Sequence, residues 1–123
     1  MIKEGLSYTS KVVVAAENCA YNVGSGSLVV FSTPSLAALM ENAAMLAVAP
    51  FLPEGSTTVG GEISIKHKRP TPPGESVSAT AKLVNVDGRK LQFEISASDS
   101  KGVVGEATHL RFIVDIEKFM SKL

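Results

Sequence analysis

From Pro34 to Pro50 the chain reads PSLAALMENAAMLAVAP, an almost wholly apolar stretch with a single carboxylate, Glu41, near its middle. Leu36, Ala37, Leu39, Met40, Ala43, Ala44, Leu46, Ala47 and Val48 leave almost no polar face, which implies a helix covered on most sides rather than one lying on a surface. Thr33 is a favoured N-cap type and Pro34 suits the first helical position. The residue before a proline is also pushed towards the extended conformation of a cap. The pattern predicts a helix starting at Thr33, capped by Thr33, with Glu41 partly buried. A carboxylate in that position needs a chemical reason.

A chain of 123 residues with 45% hydrophobic content fits one domain that buries about two-thirds of its unfolded surface. Twelve basic and twelve acidic residues cancel, so no net field draws the chain to nucleic acid or to an acidic membrane. Cys19 has no second cysteine to pair with, and the start MIKEGL lacks the apolar core of a signal peptide, so a cytoplasmic protein is expected. Glu41, Asn42, Pro50 and Pro53 interrupt the longest apolar run before it reaches bilayer-spanning length, so no membrane association is expected.

No repeat or long linker divides residues 1–123, which read as a single domain. Leu6 to Ala15 begins with strand-like residues, and the polar segment Glu17 to Ser27 reads as a loop or flap before the short apolar run Leu28 to Phe31. After Pro53-Glu54-Gly55-Ser56 the periodicity changes from helical to alternating. Four strands are expected: Thr57 to Arg69, Ser76 to Val86, Arg89 to Ser98 and Val103 to Val114, the last two completing a meander. A short amphipathic tail, Ile116 to Leu123, suits a final helical turn or two. One buried helix with antiparallel strands before and after it predicts an α+β fold, a curved sheet wrapped around a central helix. A lone sheet of this kind leaves an edge and part of the helix open, which a second copy would cover. A homodimer at least is expected, with a tetramer left open.

In the strand Thr57 to Arg69, His67 shares parity with Val59, Ile63 and Ile65 and so falls on the apolar face. A histidine there is ordinarily a core or rim residue satisfied by a carbonyl. A nearby buried glutamate changes the reading, because the two can exchange a proton near neutral pH and activate water or a hydroxyl. Gly60-Gly61 in the same strand marks a bulge or a ligand's approach to the backbone. It serves equally to bend the sheet around the helix. A bulge would reverse side-chain parity between Gly60 and His67, so no facing is assigned across it.

Several spaced features resemble one family. They are LMENAA from Leu39 to Ala44, APFL from Ala49 to Leu52, a histidine 26 residues after the helix glutamate, TPPG from Thr71 to Gly74, and ATHLRF and EKF near the end. Together they resemble the hotdog-fold acyl-CoA thioesterases, most closely the fluoroacetyl-CoA thioesterase-like family, over roughly Phe31 to Phe119. The resemblance implies a hotdog fold and a Thr33, Glu41 and His67 catalytic set. Gly60 falls on the family's active-site glycine and Arg111 on an arginine near the site. It further implies hydrolysis of an acyl-CoA thioester at a dimer-interface pocket, with no metal and no cofactor.

That chemistry can be read from the residues as well. Helix N-terminal amides and a backbone N–H such as that of Gly60 can stabilise the oxyanion of an attacked thioester. Thr33 can attack after losing a proton towards His67, hold the attacking water, or simply cap the helix. About 12 Å of helix separates Thr33 from Glu41, so Glu41 is expected to act as base or water-positioning group, assisted by His67. Lys66, Lys68 and Arg69 can meet coenzyme A phosphates or form a solvated strand end. Arg111 and His109 have ordinary readings as edge-strand residues, and Met40 and Met45 as core fillers. Before the helix, Asn22-Val23-Gly24-Ser25-Gly26-Ser27 replaces the family's bulky lid residues, so a more general short or medium acyl-CoA substrate is expected. The rivals are a non-catalytic acyl-CoA-binding module and, less well matched, a hydratase-type enzyme.

Overall fold

A computed structural model of the chain describes residues 2–123. Strand β1, Ser7–Val13, leads through a 3-10 turn, Ala16–Asn18, to a one-turn helix α1, Ala20–Val23. Helix α2, Thr33–Val48, follows, and then β2, Ser56–His67, β3, Ser76–Asp87, β4, Lys90–Asp99, β5, Gly102–Asp115, and a terminal helix α3, Ile116–Ser121. The segment expected as a flap thus contains α1 and is tied at its base by a bridge between Cys19 and Phe31.

The five strands form one antiparallel sheet in the order β1-β3-β4-β5-β2. This corrects the expected run of neighbouring strands, because only β3, β4 and β5 form a meander. Strand β2 lies at the far edge against β5, and its connection to β3 crosses to the other side of the sheet. The proline-bearing segment after His67 cannot supply the ladder donors of a tight hairpin and is anchored instead. Phe31 N–H donates to Thr71 C=O, and Gly74 N–H donates to Val14 C=O. Thr71 Oγ1 and Arg69 Nη2 donate to the two oxygens of Asp99, at 2.9 and 2.6 Å. Burial works to raise the Asp99 pKa, but Arg69, the Lys101 amide and the Thr71 hydroxyl together bring it below the usual aspartate value.

The concave face holds the core. Val77, Ala79, Ala81 and Leu83 from β3, and Leu91, Phe93, Ile95 and Ala97 from β4, meet Leu36, Leu39, Met40, Ala43, Ala44, Ala47 and Val48 of α2. Burying each of the larger aliphatic side chains stabilises the fold by about 1.5–3 kcal/mol. Helix α2 is not covered on most sides as expected. Ala38 and Asn42 are exposed, and Ala37, Glu41, Met45 and Leu46 are half-buried. The helix and the 3-10 turn after it run unbroken from Thr33 to Phe51, 19 residues that by length and composition alone suffice to cross a membrane. The expectation that Glu41, Asn42 and Pro50 break this run early is therefore corrected. The apolar content is accounted for by the sheet that holds its buried face.

The helix start sits close against the sheet at Gly105. A Cβ there would lie 3.0 Å from Leu36 Cδ2 and 3.0 Å from the Lys66 carbonyl oxygen, tighter than ordinary packing. Gly105 is the register partner of His67, so this close approach brings the beginning of α2 down onto the end of β2. We expect Gly105→Ala to cost about 1–3 kcal/mol by overpacking, measured as a lowered urea midpoint at unchanged slope. An unaltered midpoint would contradict the close seating.

Candidate active site

The cap of α2 is Ser32, not Thr33. Ser32 has the extended backbone of a cap (φ −79°, ψ 151°), and its hydroxyl accepts from Ser35 N–H at 3.1 Å. Thr33 is then the first helical residue and Pro34 the second, which leaves the Thr33 hydroxyl free of capping duty. Thr33 Oγ1 instead lies 2.8 Å from Nδ1 of His67. Of the first-turn amides, Pro34 has none, Ser35 donates to the Ser32 hydroxyl and Leu36 to the Ser32 carbonyl. Thr33 N–H is left without a partner among the described residues.

The pair opens on a cleft of about 310 Å³, lined also by Val30, Phe31, Lys68 and Arg69. His67 is half-buried, and its Nε2 is buried without a hydrogen-bond partner. Burial lowers the His67 pKa, with the Arg69 backbone opposing. The imidazole is therefore neutral at pH 7, and in the tautomer with Nδ1 bare it accepts the Thr33 O–H. That is the arrangement of a nucleophile with its base. The cations beside it are already engaged, Lys68 with Glu106 and Arg69 with Asp99 and the Gly102 carbonyl.

A second cluster surrounds Gly60. A Cβ on Gly60 would lie 3.4 Å from Arg111 Nη1, 3.4 Å from His109 Cε1 and 3.9 Å from Glu41 Oε2. Three side chains thus converge on a bare Cα. The β2–β5 register shifts between Gly60 and Glu62, so the expected bulge is present. It places Thr58 and Gly60 on the same face as His67. Val59, despite its shared parity, pairs with Phe112 on the opposite face. A Cβ on Gly61 would run into the Phe112 ring, which favours glycine at the bulge.

Arg111 belongs to an interior strand, not an edge, and is only 6% exposed. Its Nε donates to Thr58 Oγ1 at 2.8 Å, its Nη2 to the Thr58 carbonyl at 2.9 Å, and its Nη1 lies 3.3 Å from His109 Nε2. Burial lowers the Arg111 pKa, and the charge of Glu41 opposes this. Glu41 is half-buried and lies near the guanidinium without forming an ion pair with it.

The structure therefore joins Thr33 to His67, and Glu41 to Gly60 and Arg111, but does not join the two groups within one chain. About 12 Å of helix separates Thr33 from Glu41, and about 20 Å of strand separates Gly60 from His67. No group of three or more metal-ligating residues occurs among the described residues. His109, expected only as an ordinary edge-strand residue, lies on the interior strand β5, is 1% exposed and packs beside Phe93. Its signal was available in Ala107, His109 and Arg111, which alternate with Thr108, Leu110 and Phe112 and put two polar side chains on the inward parity of β5.

Residues 14–117 match the family model described as FlK, fluoroacetyl-CoA-specific thioesterase. The fluoroacetyl-CoA thioesterase of Streptantibioticus cattleyicolor is 40% identical over 94 residues, which are 76% of this chain and 68% of that protein. A point variant of FlK solved in complex with acetyl-CoA superposes with a TM-score of 0.92 at 33% identity, covering 98% of this chain and 96% of that one. A hot-dog-like protein from Thermanaerovibrio acidaminovorans superposes at 0.90 with 21% identity, covering 98% and 90%. The curled five-stranded sheet around α2 is accordingly the hotdog fold. By sequence and architecture, the chain belongs to the fluoroacetyl-CoA-specific thioesterase family, whose members are thioester hydrolases.

Proposed function

We propose that the protein hydrolyses short acyl-CoA thioesters in the cytoplasm, as a homodimer whose two chains each supply half of every site. The observation that carries this reading is the Thr33 Oγ1 to His67 Nδ1 hydrogen bond at the helix start. It supports a hydroxyl paired with its base beside a helix start whose Thr33 N–H has no partner among the described residues. As Thr33 Oγ attacks the thioester carbonyl, its proton passes to His67 and the oxyanion forms against Thr33 N–H at the positive end of α2. Collapse expels coenzyme A, which takes the proton from His67 as its sulfur leaves. Glu41 then removes a proton from the water that attacks the acyl-threonine, and as the acyl C–Oγ bond breaks that proton is returned to Thr33 Oγ by way of His67, releasing the free acid. Gly60 and Arg111 border the space beside Glu41 and bind the acyl end.

The dimer is supported by what one chain leaves unfinished. Strand β2 is an edge, the outward strip of α2 is open, and the two polar clusters are too far apart to act on one carbonyl. A partner whose β2 and α2 lie against these surfaces would bring its own Glu41 cluster to this chain's Thr33 and His67. The acetyl-CoA bound to the FlK variant supports a short acyl-CoA. The glycine- and serine-bearing segment before α2 supports a substrate broader than fluoroacetyl-CoA. Cys19, a buried free thiol, fits a reducing compartment.

Thiol release from a panel of acyl-CoAs, from acetyl to aromatic, is the direct test. We expect Glu41→Ala and His67→Ala each to lose about 100-fold or more in kcat while folding and dimerisation survive. Saturable binding of acyl-CoA without any release would favour a binding module instead. Mixing the two inactive variants under exchange should restore about a quarter of wild-type activity, because half of the dimers then carry one intact site of two. Absence of recovery would place both groups in one chain. In Glu41→Gln, denaturing mass spectrometry should find the acyl group on Thr33, and turnover without such an adduct would mean direct attack by water.

The pH profile follows from His67. Protonation removes the lone pair that accepts the Thr33 proton, and the lowered pKa moves that loss to the acid side of the ordinary value. The acid limb of kcat/KM attributable to His67 should therefore lie below about pH 6.5, and a limb above that value would contradict the assignment.

A further inference from the structure

The geometry points to His109 as a positioning residue: a neutral imidazole that accepts a hydrogen bond from Arg111 and keeps that guanidinium from collapsing onto Glu41. The inference rests on the hydrolase reading of the Glu41 cluster and adds to it the device that keeps the base available.

The imidazole's roles are set by its partners. Nδ1 lies 2.8 Å from the carbonyl oxygen of Glu62, which can only accept, so Nδ1 carries the proton. In a neutral ring Nε2 is then bare, and it faces Arg111 Nη1 at 3.3 Å. Arginine only donates, so the two fit as acceptor and donor. A protonated His109 would set N–H against N–H and cation against cation. Burial, with a contribution from Arg111, lowers the His109 pKa and holds the ring neutral, against opposing effects of the Glu62 carbonyl and the Glu41 charge.

A guanidinium and a carboxylate brought near each other in a poorly hydrated pocket attract strongly. Arg111 nevertheless stays out of ion-pair contact with Glu41. Three of its five N–H groups are committed elsewhere, two to Thr58 and one to His109. Thr58 grips one side of the fork, and His109 holds Nη1, the nitrogen nearest Gly60. Without that acceptor Nη1 is free to turn towards Glu41 and occupy the carboxylate needed to activate water. The remaining N–H groups of Arg111 stay available to the acyl end of the substrate. The bulge completes the arrangement, because Glu62, whose carbonyl fixes the His109 tautomer, is the first residue after the register shift.

His109→Leu and His109→Gln test the device, since leucine removes the acceptor and glutamine keeps a neutral one. For His109→Leu we expect kcat to fall about tenfold or more with KM changed by less than about threefold, consistent with a displaced group in the site. His109→Gln should recover most of kcat. In the wild-type protein, ¹⁵N NMR of labelled histidine should show His109 as the Nδ1–H tautomer at pH 7. A folded His109→Leu with wild-type kcat, or an Nε2–H tautomer, would overturn the inference. If the leucine variant does not fold, the wild-type tautomer decides. Glu41→Gln run in parallel separates the two ideas. Its inactivity beside a fully active His109→Leu sinks only the role of His109, whereas a wild-type protein that releases no thiol sinks the hydrolase reading and leaves the tautomer to judge the Arg111 lock.

Discussion

An apolar helix that must be taken out of water governs the rest of the molecule. The buried face of α2 is wide, and only a sheet that curls can follow it from Leu36 to Val48. Small residues permit the curl. Ala79, Ala81, Ala97, Ala107 and Gly105 face the helix at positions where larger side chains would hold it away. A close approach falls at Gly105, beside His67, and that seat allows a hydroxyl on the first turn of the helix to reach an imidazole on the last residue of a strand. Core packing and site geometry are here the same contact.

Division of labour around the helix start is equally economical. Ser32 takes the capping role and Thr33 is released from it, so one backbone turn supplies both a satisfied helix end and a chemically available hydroxyl. Eight residues on, Glu41 emerges on the open strip of the same helix and meets the polar cluster built around the bulge. The bulge has two effects of local chemistry. It removes side chains where Glu41, His109 and Arg111 converge, and it presents the Glu62 carbonyl to His109 instead of leaving it unused.

Much of this was legible in the residues, and the failures have local physical causes. The helix start, the half-burial of Glu41, the bulge at Gly60-Gly61 and the inward face of Leu91, Phe93, Ile95 and Ala97 all follow from periodicity and from the chemistry of proline and glycine. The cap was misplaced by one residue because Ser32 and Thr33 are both good caps, and only the tertiary partner His67 distinguishes them. The face of Val59 was left unassigned because a bulge inverts parity without altering composition. The strand order was misjudged because alternation reports that a strand exists and not which neighbour it finds. Arg111 shares the inward parity of Ala107 and His109, but its partner Thr58 lies 53 residues away on another strand and has no local signal.

The sheet order also governs when the site can exist as the chain is made. Strand β2 carries Gly60 and His67, yet its only strand partner among the described residues is β5, whose register with it runs to Asp115. Such non-local pairing closes late, because the loop-closure entropy is met before any contact rewards it. A chain emerging in order therefore presents β2 well before the strand that receives it. The meander β3-β4-β5 can zip locally, whereas β1 and β2 must each be brought to it across a longer loop. Thr33 can be held against His67 by the sheet only once β5 has been made, so a chain that stops short of Gly102 holds none of the proposed chemistry.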